Sequence, residues 1–190
     1  MARPVDHARR EELLDGAIEY AIDHGIADLS LRPLADALGT QAPVLLHHFG
    51  TKEELLVLIV AGVRDRLRSL GRAAEAANAR HGLPAIWAWA ADPAQDQFLR
   101  LFFESYALAL RHPDRYGDFL DAVVQGWLDE PMAAVDDVSA TIAIAAVRGL
   151  LLDLLATGDR KRVGAAMERL LLMLHTHADA GPPRASKRRR

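Results

Sequence analysis

Residues 30–49, SLRPLADALGTQAPVLLHHF, limit what this chain can fold into more than any other stretch. Ser30 is a good N-cap residue, because its hydroxyl can accept from an orphan amide of a first helical turn. Leu31, Leu34, Ala35 and Leu38 then recur at three- and four-residue steps, which puts them on one helix face. Gly39 follows where the chain must leave the helix, and a residue without Cβ does so at least cost. After Thr40 and Gln41 a second short helix is expected to reach His48, with Leu45 and Phe49 turning its inner edge to a core. Pro33 and Pro43 each fall in a first turn, where the amide has no intrahelical acceptor and proline is tolerated. Two short helices joined by a tight turn make a helix-turn-helix, the device by which a second helix enters the major groove of DNA. Its outer edge would carry Gln41, Ala42, Val44 and His47.

The segment Gly39-Thr40-Gln41-Ala42-Pro43-Val44-Leu45-Leu46-His47-His48-Phe49, followed by Gly50-Thr51-Lys52-Glu53-Glu54-Leu55-Leu56, resembles the signature of the tetracycline-repressor (TetR) family of transcriptional regulators. The matching positions are Gly39, Leu45, the His48-Phe49 pair, Lys52-Glu53 and Leu55, and the resemblance covers roughly residues 10–56. Leu46 stands where the family usually has a phosphate-contacting tyrosine. Ala42 stands where a basic or small polar residue often opens the recognition helix. The resemblance implies a helical homodimer on a DNA operator, with a small-molecule pocket whose occupancy reorients the helix after the motif. Repression is the family default.

Charge bears directly on a DNA-binding reading. Residues 1–55 hold five basic and ten acidic side chains, against a net charge of −3 for all 190 residues. Phosphate neutralisation usually dominates affinity for DNA. The charge must therefore be arranged as a dipole, with Arg3, Arg9, Arg10, Lys52 and two helix N-termini facing DNA and the acids behind. With no cysteine, disulfide and thiolate chemistry are excluded and a reducing compartment is natural. The N-terminus lacks the apolar core of a signal peptide. The most apolar stretch, Val138 to Ala156, is interrupted by Arg148 and Asp153, so no membrane span is expected and the location reads as cytoplasmic.

The fold class expected is all-α: an N-terminal three-helix DNA-binding domain with a helix-turn-helix over residues 1–50, and a C-terminal helical effector-binding and dimerisation domain over 51–180. A disordered basic tail over 181–190 completes the chain. Helix 1 should run from about Asp6 to His24, burying Leu14, Ala17, Ile18, Ala21 and Ile22, with Gly25 ending it and Ile26 and Leu29 re-entering the core. Thr51 and Glu54 have the spacing of a capping box and open a long helix to about Arg80. Asp92-Pro93 should cap a helix reaching Arg111. His112-Pro113-Asp114 breaks the pattern before a helix from Tyr116 to Leu128. Asp136 or Asp137 opens an apolar helix to Thr157, and a last one follows from Arg160 to His177. No repeat and no strand is found.

On this reading the DNA-binding residues are Arg9, Arg32, Thr40, Gln41, Ala42, Pro43, Val44, Leu46, His47 and Lys52. The Gln41 amide can pair with adenine N6 and N7, and Thr40 and Val44 can touch thymine methyls. His47, Thr51, Lys52 and the N-terminal arginines would serve phosphates, and His48 reads as a packed, hydrogen-bonded histidine. Trp87, Phe98, Phe102, Phe103, Tyr106, Tyr116, Phe119 and Trp127 form an aromatic-rich region that fits either a core or an apolar effector pocket. Its polar lining would come from Glu104, Ser105, Gln125 and Arg148. Ile142, Ala145, Ala146, Gly149, Leu152 and Ala156, with Ala166, Leu170 and Met173, form small-residue stripes suited to a four-helix dimer interface. No phosphate loop, nucleophile elbow or zinc-protease motif points to catalysis, and the partial histidine pairs His47-His48 and His175/His177 do not make a metal site. No cofactor is expected. The competing reading is a helical small-molecule or lipid carrier whose helix-turn-helix no longer works.

Overall fold

The structure is a computed structural model. It describes residues 6–77, 83–128 and 137–180, the side chains of 70–77, 124–128, 137 and 175–180 excepted. Among these residues every regular element is helical. The N-terminal arm with Arg3, the His81-Gly82 break, Pro131, the side chains of Trp127 and His177, and the basic tail lie outside the described residues.

Helix α1 (His7–His24) opens on Asp6, whose carboxylate accepts from the Arg9 amide at 3.2 Å. Its buried stripe is Leu13, Ala17, Ile18 and Ala21, whereas Leu14 and Ile22 are only half-buried. Ala17, Ile18 and Ala21 are thus buried as expected, and Leu13 displaces the flanking Leu14 and Ile22 because α1 is covered by partners on more than one side, which periodicity does not locate. Helices α2 (Leu31–Ala37) and α3 (Ala42–Phe49) form the expected corner. At the end of α2 the Thr40 amide donates to Ala35 O at 2.9 Å and the Gly39 amide to Asp36 O at 3.2 Å. This is a Schellman closure, and Gly39 takes the positive φ of 62° that it requires.

Helix α4 (Lys52–Ala77) begins with a reciprocal cap: the Glu54 amide donates to Thr51 Oγ1 at 3.1 Å, and Glu54 Oε2 accepts from the Thr51 amide at 2.7 Å. The bonds that its carboxylate accepts from the Thr51 amide and hydroxyl hold the Glu54 carboxyl below its ordinary pKa. Helix α5 (Leu83–Ala90) follows. Asp92 then caps a single 3₁₀ turn, Pro93–Gln95, which leads into α6 (Asp96–Arg111) in place of one continuous helix. Helix α7 (Pro113–Leu128) starts earlier than expected, with proline at its first position and the bend displaced to Tyr116, at φ −121° and ψ 21°. Helices α8 (Asp137–Thr157) and α9 (Arg160–Ala180) form an antiparallel pair closed by Gly158.

One hydrophobic cluster runs without a break from Leu13, Leu34, Leu45 and Phe49 through Ile59 and Val63 to Phe98, Phe102, Tyr116 and Phe119. The α2–α3 corner and the C-terminal helices therefore share a core across residue 50. A second cluster joins α5, α6, α8 and α9 through Leu83, Leu99, Val147 and Met167. Two ion pairs pin α9 in place: Arg162 Nη1 and Nη2 each donate to one Asp153 oxygen at 2.7 Å, and Arg160 Nη2 alone reaches both Asp96 oxygens at 2.7 and 2.9 Å. Val138–Thr157 is long and apolar enough to cross a membrane by length and composition. One side of it is buried against neighbouring helices, and Arg148 sits near its middle.

Candidate functional site

The outer face of α3 is built by what its inner face must bury. Leu45 (1% exposed) and Phe49 (5%) point into the core, which turns Pro43, Val44, Leu46 and His47 to solvent. Gln41 is the exposed N-cap, in extended conformation at φ −124° and ψ 147°, with its side chain making no capping bond. Ala42 differs from its expected outward position: it is half-buried and packs on the core. Thr40 is half-buried at the turn. Val44 and Leu46 are large apolar groups at 37% and 40% exposure, available for contact with thymine methyls or sugars.

The cations divide into two kinds. Arg32 is exposed at the start of α2, and Lys52 is half-exposed at the start of α4; neither has an ion-pair partner among the described residues. Ser30 occupies the α2 N-cap without a side-chain capping bond. Arg9 and Arg10, expected to face phosphates, are both engaged. Arg9 pairs with Glu12 at 2.5 Å. Arg10 donates from Nε to the His48 carbonyl at 3.2 Å, and its Cζ lies 5.3 Å from the Phe49 ring centroid. The Arg10 role was missed because its partner lies 38 residues along the chain, where no local spacing signals it. His48 is packed as expected, yet its buried Nδ1 has no hydrogen-bond partner among the described residues.

A small cavity of about 30 Å³, open to solvent on one side, lies between α4, α5, α6 and α8. Of the expected aromatic set Phe102 lines it, together with Trp89, Leu67, Leu83, Ile86, Ala90, Leu99, Ile144, Val147, Arg148 and Leu151. Phe98, Tyr116 and Phe119 are buried in the core. Phe102, Phe103, Tyr106 and Phe119 form a network of edge-on and tilted rings with centroids 5.3 to 6.3 Å apart, and Trp89 meets Phe98 edge-on at 5.8 Å. Trp87 packs partly buried against the second cluster. Of the expected polar lining among the described side chains only Arg148 borders it, and through its carbon stem, since the exposed wall is wholly apolar; the Gln125 side chain lies outside the described residues. Ser105 is buried with its hydroxyl unpartnered among the described residues. Glu104 faces the other way: its Oε2 accepts from the Ile26 amide at 2.8 Å, just past α1. A Cβ at Gly25, which has φ 76°, would come 2.8 Å from that oxygen. Burial raises the Tyr116 hydroxyl pKa.

On α8, Ile142, Ala145, Gly149, Leu152 and Ala156 are exposed in one stripe, while Ala143, Val147, Leu151 and Leu154 are buried on the opposite side. Ala146 is half-buried at its edge. On α9, Ala166 and Met173 are exposed and Leu170 is half-buried. A Cβ added at Gly149 would meet nothing within 4 Å in this chain. Among the described residues no group of three His, Cys, Asp or Glu side chains is placed to hold a metal.

Residues 13–59 match the family described as bacterial regulatory proteins, tetR family. The HTH-type transcriptional regulator BetI of Brucella suis biovar 1 (strain 1330) is 38% identical over 77 residues, covering 38% of this chain and 37% of that protein. The HTH-type transcriptional repressor KstR2 of Rhodococcus jostii (strain RHA1) is 39% identical over 59 residues, covering 31% of this chain and 29% of that protein. The chain thus spans well under half the length of these curated relatives. Among solved structures, multidrug binding protein EbrR complexed with imidazole superposes with a TM-score of 0.68, at 22% identity, over 96% of this chain and 99% of that one. A transcriptional regulator from Rhodococcus sp. Rha1 gives 0.67, at 21% identity, over 91% and 99%. At this identity the structural likeness concerns the fold.

Proposed function

We propose, from the premise that this chain carries the DNA-binding domain of the bacterial tetR family, that it is a sequence-specific, effector-responsive transcriptional regulator that acts as a homodimer. The observation that carries this reading is the exposed face of α3, where Gln41, Val44 and His47 stand clear of a core that Leu45 and Phe49 fill. Gln41 reads a base, Val44 and Leu46 make apolar contacts, and His47, Arg32 and Lys52 with the uncapped α2 N-terminus serve phosphates. The exposed α8 stripe, with Ala166, Leu170 and Met173 of α9, packs against its copy in a second chain. That pairing sets two α3 helices about one helical turn of DNA apart, so the operator is near-palindromic. The pocket beside α4 takes a small apolar effector whose binding opposes that of DNA by linkage. Repression, released by the effector, is the default for such a device, and its setting is the cytoplasm.

Named transcriptional regulators, not enzymes, are the relatives of the N-terminal stretch. The carrier reading is not favoured, since it leaves the matched, exposed α3 face without a role. Selection of bound sequences from random duplexes tests the proposal. A recovered near-palindrome, bound with an affinity that falls steeply with salt, supports it; absence of any sequence preference at low salt ends it. Gln41→Ala should relax preference at one base pair per half-site by about 1–3 kcal/mol. Equal loss on every duplex would remove Gln41 as a reader.

A further inference from the structure

Helix α3, Ala42–Phe49, carries no arginine, lysine, aspartate or glutamate. Its exposed side chains, with the N-cap, are Gln41, Pro43, Val44, Leu46 and His47. At 3.6 residues per turn Pro43 and Val44 stand side by side in the first turn, on the side opposite buried Leu45 and Phe49. His47 lies one turn behind them, and Leu46 continues the apolar strip at its flank. A recognition helix meets base edges mainly through its N-terminal residues. The groups that lead this helix after Gln41 are therefore apolar. Nearby cations do not alter that. Arg10 donates from Nε to the His48 carbonyl at 3.2 Å and lies over the Phe49 ring. Arg32 starts α2, the helix that crosses the backbone in such a motif, and Lys52 starts α4, beyond the end of α3. The four bases differ in what they show in the major groove. Guanine offers two acceptors suited to arginine or lysine, cytosine an amine suited to a carboxylate, and adenine a donor and acceptor suited to glutamine. Thymine alone among the four offers a methyl group.

We propose that α3 selects its operator by methyl groups: Pro43 and Val44 pack on the C5-methyls of thymines beside the adenine that Gln41 pairs with, so the base pairs beneath the first turn of α3 are A·T. The proposal rests on the regulator reading above and adds to it the chemistry by which base pairs are told apart. Val44 is 37% exposed in the free chain, and covering it with a methyl removes apolar surface from water on both sides. A G·C pair at the same place leaves guanine acceptors and a cytosine amine facing apolar groups, with their hydration lost and no partner gained.

The test begins with an operator selected by the full chain from random duplexes. Each thymine of a half-site is then replaced in turn, in both half-sites, by deoxyuridine, which still pairs with adenine and lacks only the methyl. Affinity is read by fluorescence anisotropy. At one or two positions the change should weaken binding about tenfold, since each buried methyl contributes about fourfold and two half-sites each lose one. An A·T preference that arises in the minor groove is blind to this replacement, because the methyl lies in the major groove. Val44→Ala, at an exposed site, should reduce the uracil penalty at one position to about twofold or less, whereas Gln41→Ala should retain it. Uracil tolerated at every position, a selected half-site whose required pairs are all G·C, or an undiminished penalty throughout in Val44→Ala overturns the proposal. If the alanine variant does not fold, the uracil scan on the native chain still decides. A recovered near-palindrome that ignores uracil sinks this inference alone, whereas no sequence preference at all sinks the regulator reading first.

Discussion

Arg10→Met separates scaffolding from DNA contact at the reading helix. The His48 carbonyl belongs to the last turn of α3, where carbonyls have no intrahelical donor, and Arg10 Nε supplies one at 3.2 Å. A hydrogen bond from a charged group contributes roughly 1.5 kcal/mol at the lower end of its range, appropriate to this half-buried site. The guanidinium over Phe49 adds about 0.5 kcal/mol. Methionine keeps the stem packed and removes both, so the chain should lose about 2 kcal/mol. Arg10→Lys keeps a cation near the ring and should recover about 0.5 kcal/mol of that loss. The assay is urea unfolding at fixed protein concentration, since an associating chain changes stability with concentration. The dependence of operator affinity on salt is then measured on the folded variant. Each phosphate contact contributes about 0.9 to that logarithmic slope. An unchanged slope with a stability loss near 2 kcal/mol fits the structure. A slope lower by about one per protomer with stability unaltered would show that Arg10 holds phosphate and that the tie to α3 is wrong.

Gly149→Leu fits within the single chain, because nothing lies within 4 Å of its Cβ, and leucine favours a helix by up to about 0.8 kcal/mol over glycine. The dimer should therefore weaken by tenfold or more in sedimentation while the helix gains stability; an unchanged dimer mass would remove α8 from the interface. Gly62→Ala puts a Cβ 2.2 Å from Ile18 Cδ1, where α4 crosses α1. Overpacking of about 1–3 kcal/mol against a helix gain of about 1 kcal/mol should leave a small net loss, relieved when Ile18→Val is added. Strict additivity of the two changes in urea unfolding would contradict that crossing. The Asp153 carboxyl is held below its ordinary pKa chiefly by its bond to Arg162, and Glu54 by its bonds to Thr51. Groups with depressed pKa values contribute stability above the ordinary carboxylate range and lose it as pH falls through that range. Urea midpoints should therefore drop on acidification from pH 6 to pH 3, and Arg162→Gln should flatten part of that drop; an identical pH profile would refute the assignment.

The corner over 30–49 was legible because each of its signals is local. A glycine at a Schellman closure, prolines in first turns and a Thr-x-x-Glu cap all act within four or five residues. What the residue pattern misplaced depends on contacts made far along the chain. Leu13 outranks Leu14 because of what α1 packs against, and periodicity gives a stripe's width better than its centre. Arg10 meets His48 and Glu104 meets Ile26 across separations of 38 and 78 residues, beyond any local spacing rule. Aromatic type announces burial but not which surface a ring presents. Phe98 and Phe119 thus entered the core, while Trp89 and Phe102 border the pocket. Arg148 was legible as an anomaly in an apolar run, but the Val123 carbonyl and Tyr106 ring that meet it lie on other helices.

Helix α6 lends Leu99 and Phe102 to the wall of the pocket and, two residues on from Phe102, lends Glu104 to the amide that follows α1. Ile26 is only 3% exposed, so its N–H would find little water if that carboxylate withdrew. A shift of α6 by about 1 Å stretches the 2.8 Å bond past useful length and strands a buried donor, at roughly 1–3 kcal/mol. Motion of the wall is therefore not graded. The same helix thus ties the wall of the pocket to the segment that follows α1 through a bond that solvent cannot readily replace.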